Sequence, residues 1–268
     1  MSAPAFFLPL DDPLDGPLAN RGSRWQATVH TTGPWDPGAQ HGGPPSALLA
    51  RAVERCAPRE DMVVCRVTVE ILGAIPVGEL GLRARVARPG RSVELVEAVL
   101  AAGGRDVARA AAWRVRRTEG ADVASRRPAP PPLPAEGLAG GPPPGWVDGY
   151  LSAIEWRVVD GGFERPGPCT AWTRMRHPLV PDEEPTGMQR ALVVADSGNG
   201  LSNELPISWL FINPELSVHL HREPVGEWIC VDAVTTVSPG GAGLATTSLS
   251  DLDGPVGVGA QSLLVAPR

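Results

Sequence analysis

Apolar and polar positions along the chain fall into short strand-like runs, interrupted twice by a helical period. In the first half the runs are Cys65 to Leu72, Leu80 to Ala87, Ser92 to Ala101 and Val107 to Arg116. Gly103-Gly104 separates the last two and is a hairpin turn signal. Ahead of them Leu48, Leu49, Ala52, Val53 and Cys56 share one helical face, with Arg51, Glu54 and Arg55 on the other. This predicts a helix over Ser46 to Cys56, and Pro44-Pro45 suits its start. The second half repeats the order. Strands are expected near Ile154 to Val159 and Thr170 to Met175, then an apolar helix from Met188 to Ala195. Further strands follow near Leu216 to His221, Trp228 to Val237, Leu244 to Ser250 and Val256 to Val265, with Asp253-Gly254 in the turn that Gly103-Gly104 fills earlier.

The two halves also share residues. Val67-Thr68-Val69-Glu70-Ile71 followed by Pro76-Val77-Gly78-Glu79 matches Leu216-Ser217-Val218-His219-Leu220 followed by Pro224-Val225-Gly226-Glu227. The offset is 149 positions in the strand and 148 after it, so one residue is lost in the intervening turn. A repeated tetrapeptide behind a matching strand indicates an internal duplication. Between the copies, Thr118 to Gly149 holds Pro130-Pro131-Pro132 and Pro142-Pro143-Pro144-Gly145, a composition that suits neither a central strand nor a helix. The expected organisation is residues 1–117 and 150–268 as two similar units, with 118–149 as a linker. One helix and an antiparallel meander, given twice, predict an α+β chain in which each sheet curls around its own buried helix.

Composition narrows the chemistry. The net charge is −6 and the chain has no lysine, which removes the P-loop lysine, Schiff-base lysines and Ser-Lys dyads together. An acidic chain without a basic run lacks the footprint of a nucleic-acid binder. Trp outnumbers Tyr eight to one, and the indoles are expected as packing anchors or pocket walls. Cys56, Cys65, Cys169 and Cys230 sit in apolar stretches without C-x-x-C spacing, as small buried hydrophobes of a reducing compartment. No apolar run has the ~20 residues of a membrane span, and no basic leader precedes the apolar start. A cytoplasmic protein is expected.

Trp35-Asp36-Pro37, His41-Gly42-Gly43-Pro44-Pro45, Ala195-Asp196-Ser197-Gly198-Asn199-Gly200, His219-Leu220-His221-Arg222 and the strand bearing Gln261 carry a resemblance in their order and spacing. They resemble the TesB-like acyl-CoA thioesterase (thioesterase II) superfamily, in particular its bacterial thioesterase-like branch. The resemblance implies a double hot-dog fold and an acyl-CoA or acyl-carrier thioester as substrate, with no cofactor. In that family an Asp, a Ser/Thr and a Gln of the second hot-dog hold and activate the hydrolytic water. The matching positions are Asp196, Asn213 and Gln261. Asn213 departs from the pattern, because it offers an amide where the family has a hydroxyl. The fused pair supplies the usual hot-dog dimer internally, and further homo-oligomeric association is expected.

Each residue also has a plainer reading. Asp196 as a general base competes with Asp196 as the cap of the Ser197-Gly198 turn. Gln261 as a water ligand competes with a solvent-facing strand position. Gly42-Gly43 allows the helix N-terminus to approach a thioester carbonyl, or simply makes a tight turn. His41 is a substrate contact or a turn residue. His219 and His221 have a zinc-compatible spacing with no third ligand evident, so no metal site is expected. Shifting by the repeat puts Trp113 opposite Gln261 and Gly42 near Asp196, which leaves one active site per chain. The alternatives to hydrolysis are a non-catalytic acyl-thioester binding protein and an enoyl-thioester hydratase. No G-x-S-x-G supports a serine hydrolase.

Overall fold

The computed structural model describes residues 5–10, 22–118, 125, 128–135, 149–206 and 208–268. Most of the predicted linker, including Pro142-Pro143-Pro144, lies outside the described residues. The first half comprises β1 (Phe7–Pro9), β2 (Ser23–Ala27), α1 (Gly43–Arg55), β3 (Met62–Ile71), β4 (Glu79–Arg88), β5 (Val93–Ala102) and β6 (Arg105–Arg116). The second opens with a single turn, α2 (Tyr150–Ala153), then β7 (Ile154–Asp160), β8 (Cys169–Met175), α3 (Gly187–Ala195) and the short α4 (Gly198–Leu201). It closes with β9 (Trp209–Ile212), β10 (Glu215–Leu220), β11 (Ile229–Val237), β12 (Ala242–Asp251) and β13 (Gly254–Pro267).

Among the described residues these strands make one antiparallel sheet in the order β1-β2-β4-β5-β6-β3-β10-β13-β12-β11-β8-β7, with β9 branching onto β13. The order is symmetric about the β3–β10 seam. There Thr68 faces Ser217, Val67 faces Val218 and Val69 faces Leu216. Thr68 and Ser217 are equivalent in the repeat, and their hydroxyls meet at 3.1 Å. The duplication is thus a pseudo-two-fold axis through one cross-strand pair, and the two halves form a double hot-dog. The register also corrects a repeat assignment. Thr68 pairs Ala111 on β6 and Ser217 pairs Ala260 on β13, so Gln261 corresponds to Ala112 and not to Trp113. The offset is back at 149 by β6 and β13, so the residue lost in the turn after the seam strand is regained before the final hairpin.

The predicted hairpin at Gly103-Gly104 forms with both residues at positive φ (55° and 77°), where glycine carries no Cβ penalty. In the second copy the turn is Leu252-Asp253, and Gly254 already begins β13. Three strands, β1, β2 and β9, were not expected from the sequence, because they are short and take their burial from neighbouring strands. Linker residues 128–135 lie against the second half, where the Pro134 carbonyl accepts from Arg157. The Trp172 indole donates to the Pro131 carbonyl, and Leu133 packs on Trp172 and Trp228.

Helix α1 begins three residues earlier than expected, taking Gly43-Pro44-Pro45 into its first turn. The prolines fit there because the first amides of a helix have no internal partner. Every residue from Gly43 to Val53 is buried, including Arg51 on the expected polar face. The helix lies between its sheet and α3, so it has no solvent face until its last turn. Arg51 instead makes a bidentate pair with Glu183 and stacks over Trp25 at 4.9 Å. Helices α1 and α3 run antiparallel, each N-terminus against the other's C-terminus.

Beneath the C-terminus of α1 the sheet contributes a buried ion pair. Glu94 and Arg114 face each other across β5 and β6, on the inward phase of both strands, at 3.0 Å and with side chains 6% and 4% exposed. Arg114 also donates to the carbonyls of Val53, Cys56 and Ala57. These carbonyls lie in and just beyond the last turn of α1, at its negative pole, where a helix runs short of amide donors. No helix among the described residues is long and apolar enough to cross a membrane.

Candidate active site

The antiparallel pairing of α1 and α3 brings Asp196, which terminates α3, against the Gly42-Gly43 entry to α1. Asn213, in the turn between β9 and β10, donates to Asp196 Oδ1 at 2.8 Å. Gln261 reaches the same oxygen from β13 at 3.1 Å, and also donates to the Asp196 carbonyl. Gln261 is 1% exposed, so the solvent-facing reading of this position does not hold. Its carbonyl oxygen in turn accepts the N–H of Asn199 at 3.2 Å, which fixes the direction of the amide. The three residues matched by family resemblance therefore converge on one carboxylate.

Oδ2 has a different neighbour. His41 Nδ1 lies 3.2 Å from it and accepts the Gly43 N–H at 3.1 Å, while the Gly42-Gly43 backbone lies against the carboxylate and helps to hold its pKa down. Asp196 does not cap its own following turn; it caps the N-terminus of the other half's helix. The carboxylate thus stands as a fixed negative group at the positive pole of α1. Burial of the carboxyl pushes its pKa up to about 7, against the opposing pull of four hydrogen-bond donors. The His41 imidazole is pushed down to about 3 by the same burial.

Glycine is required at both entry positions by contact and not by backbone conformation. A Cβ on Gly42 would stand 2.7 Å from Asp196 Oδ2, and one on Gly43 only 2.0 Å from the Val193 carbonyl. Gly42 itself has an ordinary helical φ of −67°. Gly42→Ala is therefore expected to displace the carboxylate and to lower turnover at least about tenfold, which corresponds to roughly 1.4 kcal/mol of barrier. Gly78→Ala, where nothing lies within 4 Å, serves as the control and should retain wild-type rates.

Beside the cluster opens a cavity of about 250 Å³, walled by Trp35, Leu151, Phe163 and Phe211 and floored by His41, Ser197 and Asn199. Trp35 meets Phe211 edge-on at 5.3 Å. An apolar cleft with a few convergent polar groups is the usual form of a small-molecule site. Tyr150 was not anticipated. Its ring stacks on His41 with centroids 3.7 Å apart, and its hydroxyl donates to the Val193 carbonyl and meets Ser197 Oγ at 2.7 Å. The one available signal was that it is the sole tyrosine of the chain.

A family model described as the acyl-CoA thioesterase N-terminal domain matches residues 31–115, and its C-terminal counterpart matches residues 121–265. No curated protein matches the chain. Solved structures share the fold at low identity. A candidate thioesterase II from Thermobifida fusca has a TM-score of 0.74 at 14% identity, covering 94% of both chains. A conserved hot-dog protein of unknown function from Alicyclobacillus acidocaldarius has a TM-score of 0.73 at 15% identity, covering 97% of this chain and 100% of its own. The acyl-CoA thioesterase II TesB2 of Mycobacterium marinum has a TM-score of 0.63 at 16% identity, covering 92% of each. With both halves matched in order across the pseudo-two-fold, the chain belongs to the acyl-CoA thioesterase family and is a double hot-dog thioesterase.

Proposed function

We propose that this protein hydrolyses acyl thioesters by direct attack of water, with Asp196 as the source of basicity and Asn213 and Gln261 as the amides that orient it. The observation that carries this reading is the convergence of two amide donors on one oxygen of a buried carboxylate, next to an apolar cavity. Thioester hydrolysis needs a water made nucleophilic at neutral pH, and a carboxyl raised to about 7 by burial is suited to that task. Asn213 in place of a hydroxyl still supplies a donor, and it holds the carboxylate directly. His41 faces the cavity as a substrate contact, while Gly42 and Gly43 let the entry to α1 lie close against the carboxylate. The reading implies an acyl-CoA or acyl-carrier substrate, action in the cytoplasm, one active site per chain and a homo-oligomeric assembly.

The test is thiol release from acyl-CoAs of two to sixteen carbons. Release from at least one member is expected, and none from any member would favour a non-catalytic acyl-thioester binder. The pH dependence follows from the direction of the shift. The base works only when deprotonated, so kcat/KM should rise about tenfold per unit below pH ~7 and level off above it. A rate flat between pH 5 and 8 would assign the base to another group.

A further inference from the structure

The cavity beside the carboxylate is apolar in its walls and polar in its floor. Trp35, Leu151, Phe163 and Phe211 make the walls. Trp35 is held between the Phe211 ring, 5.3 Å away, and the Arg268 guanidinium, 4.9 Å from the indole centroid. The polar residues are turned to the protein itself. Ser197 Oγ meets the Tyr150 hydroxyl, the Asn199 amide donates to the Phe211 carbonyl, and Asn203 both donates to and accepts from the Leu205 backbone. Among the described residues no arginine lines the cavity, and its one acidic wall residue is Glu164, at an exposed position.

We propose that this cavity takes the acyl arm of the thioester and selects an uncharged acyl group, aliphatic or aryl, of up to about ten carbons. This rests on the acyl-thioester reading of the site. A thioester has two arms, and their chemistry tells them apart. The carrier arm of a CoA thioester bears amides and, further out, phosphates, so it needs hydrogen-bond partners and cations. The cavity offers aromatic walls, amides already engaged with the backbone, and a carboxylate. Those surroundings suit a hydrocarbon and oppose an anion. Volume sets the length. A cavity of about 150 Å³ holds the carbon ring of benzene, and in proportion about 250 Å³ holds roughly ten carbon atoms. An acyl group with a terminal carboxylate would bring its charge to Glu164 and gain no cation in return.

Two wall positions set this limit in opposite directions. Trp35 is 46% exposed, so its indole closes the cavity towards solvent and is no part of the core. Removing it opens the space outward without emptying the interior. Gly200 lines the cavity from the short α4, and a Cβ there meets nothing within 4 Å. Its backbone lies outside the left-handed region, so a side chain adds volume to the wall without strain. Trp35→Ala therefore lengthens the acyl group that fits, and Gly200→Leu shortens it.

The experiment uses the full chain and two readouts. One is thiol release from acyl-CoAs of two to sixteen carbons; the other is calorimetric binding of the corresponding alkyl-CoA thioethers, which lack the hydrolysable carbonyl. In the wild type both kcat/KM and affinity should rise by up to about fourfold per methylene as far as roughly ten carbons, and rise no further beyond. Trp35→Ala should raise the ratio of sixteen-carbon to eight-carbon ligand at least about tenfold, and Gly200→Leu should lower the ratio of ten to four carbons as much. Glutaryl-CoA should be cleaved at least about tenfold more slowly than pentanoyl-CoA, a gap that Glu164→Gln narrows. Because the two wall variants move the length profile in opposite directions, misfolding of either cannot imitate the result. A wild type that handles sixteen carbons as well as eight, with neither variant moving its ratio, overturns the pocket assignment and leaves the hydrolase reading standing. Thioether binding with the expected length profile, but no thiol release from any acyl-CoA, overturns the hydrolase reading and keeps the pocket. Neither binding nor release overturns both.

Discussion

Asp196→Asn should lower turnover by about 10²-fold or more, the usual contribution of a positioned general base. The substitution preserves shape, so the cavity walls and the α1–α3 contact stay in place. It removes the base on which the chemistry depends, since an amide takes no proton near neutral pH. The change has a structural cost as well. Oδ1 accepts from both Asn213 and Gln261, while Oδ2 faces His41 and the Gly42 backbone at the entry to α1. An asparagine offers an oxygen to only one side, leaving buried donors unpaired at roughly 1–3 kcal/mol. Relief of a buried negative charge opposes that loss. Thermal melting of the variant is the necessary control: a collapse of rate with a melting midpoint near that of the wild type is a chemical effect. Undiminished thiol release would refute the choice of Asp196.

Arg114→Ala is expected to destabilise the fold by about 3–5 kcal/mol, the cost of stranding one partner of a buried ion pair. Glu94 would be left without its partner under α1, and the carbonyls of Val53, Cys56 and Ala57 would lose their shared donor. At roughly 2–4 °C per kcal/mol for a chain of this size, the melting midpoint should fall about 6–20 °C. Adding Glu94→Gln to Arg114→Ala should recover part of the loss, because the stranded charge is then gone. A midpoint within about 2 °C of the wild type would mean that solvent reaches this pair and that the helix end is capped by other means.

Several of these positions carry no local signal of their burial, for reasons that can be stated. Val256-Gly257-Val258-Gly259-Ala260-Gln261-Ser262-Leu263-Leu264 offers no clean alternation, because glycine and alanine dilute both phases. Nothing local could say that Gln261 shares the inward phase of Leu263 and Val265. Arg51 was placed on a polar helix face because burial of an arginine depends on a partner distant in sequence, here Glu183. For His41 the sequence left a substrate contact and a turn residue both open, since its surroundings are an aspartate of the other half and a tyrosine beyond the linker.

What the chain determines by itself is the set of elements with local causes. Period-two runs make the long strands, the 3.6-residue apolar spacing makes α1 and α3, and Gly103-Gly104 makes a hairpin whose two positive φ values need no tertiary support. The repeat of Pro-Val-Gly-Glu behind a matching strand was enough to announce two copies of one unit. Tertiary structure alone decided that equivalent strands pair about Thr68 and Ser217, that α1 and α3 run antiparallel, and that one carboxylate meets Asn213, Gln261 and His41. Those outcomes depend on contacts between residues far apart in the chain, where the gain comes from burying both helices against one continuous sheet and no short-range preference selects the partner.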